Sequence, residues 1–185
     1  MNGDMPTRVG RLERGWGAAG LPLWLTIGIA LGLGLRIWFV WDQLPPMMAS
    51  HFGAGGRPDA FMTKEFFFIF MLVVGGGSVA AVFVTPFLLR RFPSNLINIP
   101  NRDYWLANGE RLEAAIDRMS GMLGWMGMAT AAIIAVAVEL AVQSNLHRTN
   151  FANDAFLIFL GAYFAVVIAA IVWMMRAFRV PKEEA

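Results

Sequence analysis

An all-α polytopic membrane protein, a bundle of four transmembrane helices, is the fold class that this sequence predicts. Two features of the chain predict it. Hydrophobic residues make up 57% of the 185 positions and charged residues 15%, against about 45–50% and about 25% in ordinary soluble domains. The charges are also bunched, leaving long uncharged blocks of the length that crosses a bilayer.

Composition also narrows the function classes. There are no cysteines, which removes disulfides, thiolate catalysis, zinc–thiolate sites and iron–sulfur clusters. With only His51 and His147, any metal site would lean on carboxylates. The net charge of +2 does not argue for nucleic acid, because the basic residues flank the apolar blocks and do not alternate with aromatic ones. No nucleophile elbow, zinc-protease helix or phosphate loop occurs, and the GxGxxG string at residues 15–20 follows no strand pattern, so the expectation is no cofactor, no metal and no catalytic residue.

In order along the chain, residues 1–20 hold Arg8, Arg11 and Arg14 among five glycines, which disfavour a stable helix and predict a mobile tail. The apolar run that follows is too long for a cleaved signal peptide. It predicts a first span over 21–44, with Pro22 in its opening turn and Pro45 and Pro46 ending it. Gly28 and Gly32 form a GxxxG pair there, a spacing that admits a neighbouring helix. A second span covers 66–89, with Gly75, Gly76 and Gly77 at its centre and Pro86 near its end. Residues 90–118 are polar, and Asn108 can cap a helix running unbroken into a third span at 119–142. A fourth span covers 155–175. The short linker before it makes the last two spans antiparallel neighbours. Gly127, Ala131 and Ala135, then Gly161, Ala165 and Ala169, give these two spans small-residue ridges.

Eleven Lys and Arg lie in residues 1–20, 90–118 and 176–185, against three in 45–65 and 143–154. The positive-inside rule then puts both termini and the 90–118 segment in the cytoplasm and the 45–65 loop outside.

Two polar segments could carry function. The outer loop holds His51, Asp59, Lys64, Glu65 and three glycines. His51 could be a metal ligand or a proton-titrating switch; alternatively, the glycines and Asp59 serve only to fold the loop. The cytoplasmic segment Asn98, Pro100, Asn101, Arg102, Asp103, Tyr104 and Trp105 reads either as an interfacial elbow anchored by its aromatics or as a docking surface for a partner. Apart from Asp42, two residues from the end of the first span, the only charges within the spans are Arg36 and Glu139. An isolated charge in hydrocarbon costs about 2.5–3.5 kcal/mol at a helix centre. The two should therefore pair, directly or through water, between the first and third helices near the outer leaflet; the alternative is that each reaches the interface separately.

The loop pattern LPxxxxxHFxxxGxPD followed by Lys64, together with NIPNRDYW at 98–105, resembles the DUF1648 family of small bacterial membrane proteins. That domain is related to the N-terminal part of SdpI-type immunity proteins. The family pattern usually carries a proline two residues before the histidine, where this chain has Ala49. The resemblance implies a multi-pass protein of the bacterial inner membrane, and for the SdpI type it implies protection against a secreted toxic peptide with control of a cytoplasmic repressor. On the matching positions the implied binding residues are His51, Phe52, Gly56, Pro58, Asp59 and Lys64. The leading expectation is a non-enzymatic immunity or signalling protein embedded in the lipid bilayer, whose outer loop recognises a peptide, lipid or protein partner. A small transporter or channel subunit, for which a homo-oligomer could supply the polar path, and a metalloenzyme centred on His51 are the alternatives.

Overall fold

The computed structural model describes residues 19–89, 91 and 96–181. Residues 1–18 of the expected mobile N-terminal tail and the last four residues lie outside them, while Gly20 already belongs to the first helix. Helix α1 spans Gly20–Val40, β1 Met47–Phe52, β2 Pro58–Thr63 and α2 Lys64–Leu89. The short α3 spans Arg102–Trp105, α4 Gly109–His147 and α5 Asn153–Ala177. The segments containing α1, α2, α4 and α5 are each long and apolar enough to cross a membrane, so the chain is a multi-pass helical membrane protein.

Local chemistry sets the element ends, and several differ from expectation. The α-helical part of α1 stops at Val40, and Trp41–Gln43 tightens into one 3₁₀ turn. Leu44 is then extended, ψ 140°, because Pro45 follows it. Helix α2 begins at Lys64 and not at 66, because the Thr63 hydroxyl accepts from the Phe66 N–H at 3.3 Å and caps it. Within α2, Met71–Gly76 forms a π-helical turn. Asn108 caps α4 through the Arg111 N–H at 2.9 Å, and the helix runs 39 residues without a break. At 1.5 Å per residue that is about 58 Å, nearly twice the roughly 30 Å hydrocarbon core. The charged first ten residues therefore stand clear of it.

The largest departure is in the 45–65 segment, expected as an irregular loop. It is an antiparallel hairpin of β1 and β2. The strands escape sequence recognition because Met, Ala, Ser, Pro and Asp dominate them and no two-residue alternation shows. Pro58 is tolerated as the first residue of its strand.

Helix α4 is the mast. Helices α1, α2 and α5 each pack along it and make at most marginal contact with one another among the described residues. Small residues permit the approach: a Cβ on Gly75 would come 3.1 Å from Ile134, and one on Gly127 would meet the Phe83 ring at 2.8 Å. The Gly28–Gly32 pair has nothing within 4 Å of either added Cβ, and neither has Gly161. At those three glycines no other helix among the described residues comes close.

Burial is concentrated at the two ends of the bundle. One core joins Val40, Leu44, Met48, Phe67, Val138, Ala141 and Val142 at the hairpin end. A second joins Ile97, Ile99, Trp105, Ala115 and Phe178 at the opposite end. Between them, residues 128–137 of α4 include none that is buried.

Candidate functional site

The hairpin is built around two irregularities in its register. Ala49 pairs with Phe61 and His51 with Ala60, so Ser50 is extra in β1. His51 pairs with Ala60 and Phe52 with Pro58, so Asp59 is extra in β2. Such bulges re-aim side chains. Here the second places Asp59 against His51, with Nδ1 and Oδ1 2.5 Å apart. An ionised carboxylate only accepts, so in this contact the ring N–H is the donor. Both side chains face solvent, at 71% and 51% exposure. Gly53 keeps the space open, since a Cβ there would lie 2.9 Å from Asp59 Oδ2.

The tip between the strands is docked. Gly56 has φ +74°, a conformation that suits glycine. Its carbonyl accepts from the Phe151 N–H at 2.8 Å, and a Cβ there would meet the Phe151 carbonyl oxygen at 2.2 Å. Phe52 stacks on Phe151 with ring centroids 4.9 Å apart, and Phe151 meets Phe156 at 5.8 Å. The hairpin is thus bound to the α4–α5 linker.

Its base is fastened as well. The Lys64 N–H donates to the Pro46 carbonyl at 2.9 Å. The Lys64 ammonium donates to the Trp41 carbonyl at 3.1 Å and lies 4.6 Å from the Trp41 ring centroid. A third clasp comes from Asn145 on α4. It accepts from the Ala49 N–H at 2.7 Å and donates to the Ala49 carbonyl at 3.1 Å. Ala49 stands where the resembled pattern has proline, and only a residue with an N–H can make the first of these bonds.

Of the expected loop residues, the structure therefore brings His51 to Asp59 and Phe52 and Gly56 to Phe151. Pro58 opens β2, and Lys64 sits over the end of α1. Sequence reading missed Asn145 and Phe151. A signal for Asn145 existed: it falls on the stripe Val138, Ala141, Val142 and Asn145 at helical spacing, a polar residue on a buried face.

At the opposite end the 98–105 segment closes on this chain's own α5. Asn98 is exposed between buried Ile97 and Ile99, and Pro100 precedes Asn101, whose φ is +52°. Asn101 Nδ2 and Trp105 Nε1 both donate to the Phe178 carbonyl, at 2.8 and 2.9 Å. Arg118 donates to the Ala177 carbonyl and lies 4.2 Å from the Trp105 ring centroid. Arg111 stacks on Tyr104 at 4.0 Å. The last carbonyls of a helix lack partners of their own, and this elbow supplies them. Arg102 and Asp103 remain on its exposed side.

Arg36 and Glu139 meet. Arg36 Nε is 3.3 Å from Glu139 Oε1, which also accepts from Gln143 at 2.7 Å. Among the described residues, buried Glu139 Oε2 has no hydrogen-bond partner.

Compared with known proteins, residues 27–76 match the family described as Domain of unknown function (DUF1648). The match covers most of α1, the whole hairpin and α2 through its π-helical turn. No curated protein and no solved structure matches the chain.

Proposed function

Taking the DUF1648 domain at residues 27–76 as the starting point, we propose that the chain is a non-enzymatic recognition protein of the bacterial inner membrane. Both termini face the cytoplasm, and the hairpin is displayed outside. The eleven-to-three bias of Lys and Arg supports that orientation. The observation that carries the reading is a contrast within the hairpin. Its backbone is clasped by Lys64, Asn145 and Phe151, while the His51–Asp59 pair is held in a fixed geometry and left open to solvent. A rigid scaffold presenting ordered, exposed polar groups suits recognition of a peptide or protein partner, because little ordering entropy is lost on binding.

Helix α4 supports a link from one face to the other. Asn145 at one end holds the hairpin, and Ala115 and Arg118 at the other pack on the elbow. A displacement of the hairpin on binding would reach the 98–105 segment through one unbroken helix. A metalloenzyme centred on His51 has less support, since among the described residues no third His, Asp or Glu joins the pair to form a metal-ligand group.

The test is photo-crosslinking in living cells, with a photoreactive residue at Phe61 on the exposed face of β2. The expected result is a discrete protein adduct that disappears in His51→Ala and Asp59→Asn while the membrane level of the chain is unchanged. An adduct that persists in both variants, or none in the wild type, overturns the reading.

A further inference from the structure

We propose that the crevice between α1 and α2 is a binding site for one acyl chain of an anionic phospholipid whose phosphate rests on the Lys64 ammonium. The two helices lean on α4 without closing on each other, and they leave a cleft of about 640 Å³. That is within the range of roughly 300–1,000 Å³ typical of ligand sites. Small residues hold it open: Ala30 and Gly34 on one wall, Gly76 and Ala80 on the other. The π-helical turn Met71–Gly76 lies along the second wall, an irregularity found often at functional positions.

The chemistry of the lining selects hydrocarbon. The one hydroxyl in it, that of Thr26, already donates to the Pro22 carbonyl at 2.8 Å. No other side chain in the wall apart from the Trp41 indole can hydrogen-bond, so the cleft offers nothing to orient a polar molecule.

One end is different. Trp41 and Phe68 line the cleft with their rings 5.5 Å apart, and Lys64 sits over Trp41. An ammonium has three donors, and one is committed to the Trp41 carbonyl. Lys64 has no part in the Arg36–Glu139 and His51–Asp59 pairs, and among the described residues no carboxylate forms an ion pair with it. An apolar slot with an uncompensated cation at the membrane-surface end of α2 has the two-part chemistry of an acidic lipid.

The test is native mass spectrometry of the purified full-length chain supplied with dioleoyl phosphatidylglycerol or dioleoyl phosphatidylcholine. One lysine near a membrane surface is worth about five-fold in affinity for an acidic lipid. The wild type should therefore carry one phosphatidylglycerol at roughly that preference, Lys64→Arg should keep the preference, and Lys64→Gln should erase it. Gly34→Leu adds a side chain where a Cβ meets nothing within 4 Å. It should expel both lipids while leaving the thermal midpoint unchanged. Equal retention of the two lipids by the wild type overturns the proposal. So does a preference that survives Lys64→Gln, or an adduct that survives Gly34→Leu.

Discussion

Gly55 and Gly56 offer a controlled comparison at the hairpin tip. Their φ angles are nearly the same, +72° and +74°, but their surroundings differ. A Cβ on Gly55 meets nothing within 4 Å, whereas one on Gly56 would strike the Phe151 carbonyl oxygen at 2.2 Å. Gly55→Ala should therefore cost only the left-handed backbone penalty, about 1–2 kcal/mol. Gly56→Ala incurs the same penalty and also pushes the tip off the α4–α5 linker. That loses the Phe151-to-Gly56 hydrogen bond, worth about 1 kcal/mol, and the Phe52–Phe151 ring contact, worth about 0.5–1.5 kcal/mol. The total for Gly56→Ala is about 2.5–4.5 kcal/mol. Denaturant unfolding of both variants in the same detergent measures the gap directly. Equal losses would mean that the docking of the hairpin on Phe151 contributes nothing to stability, and the account of Gly56 as a docking residue would fail.

Three further outcomes follow from the same geometry. Asn145→Leu leaves the Ala49 N–H and carbonyl without their partner, at about 1–3 kcal/mol for each buried group; an unfolding curve matching the wild type would contradict the clasp. In a double-mutant cycle, Arg36→Ala and Glu139→Ala should be non-additive by about 0.5–3 kcal/mol, and strictly additive losses would show that the two charges act separately. Reporter fusions at Gly55 and Asn150 should read as external and one at Asn101 as cytoplasmic. An external signal at Asn101 would invert the proposed orientation.

What could be read from the sequence was what periodicity and capping chemistry encode. The four spans, the unbroken helix starting after Asn108 and the meeting of Arg36 with Glu139 all follow from patterns local to a helix or from the cost of a charge in lipid. The hairpin was not legible, because its strands hold together through bulges and clasps, not through alternating apolar residues. Asn145 lies 96 residues from Ala49, and nothing in the MMASHF stretch announces that it will be gripped by another helix. The elbow was half legible. Its Trp and Tyr were expected at an interface, but Trp105 is buried at 4% exposure against Phe178, a long-range contact that local patterns do not carry. The GxxxG spacing of Gly28 and Gly32 misled in the other direction, since small residues mark where a helix can approach and not that one does.

The distribution of packing explains why the same chain is tight at both faces and open between them. In water, apolar side chains gain by being buried. In lipid that gain vanishes, because acyl tails are as apolar as leucine. The hairpin core around Met48 and Val142 and the elbow core around Trp105 and Phe178 sit at the ends of the spans, near the interfaces where burial is favourable. The middle of α4 has no such drive, and its closest approaches at glycine are those of Gly75 to Ile134 and Gly127 to Phe83. Fastening at the ends is therefore sufficient to set the spacing of α1 and α2. Lys64 and the hairpin fix that spacing at one face, Gly124 against Ala19 and Pro22 fixes α1 near the other, and nothing between requires the two helices to meet. Within the DUF1648 stretch, Gly56 holds the hairpin's junction with the α4–α5 linker and Lys64 its junction with α1. The gap between α1 and α2 is a consequence of that geometry.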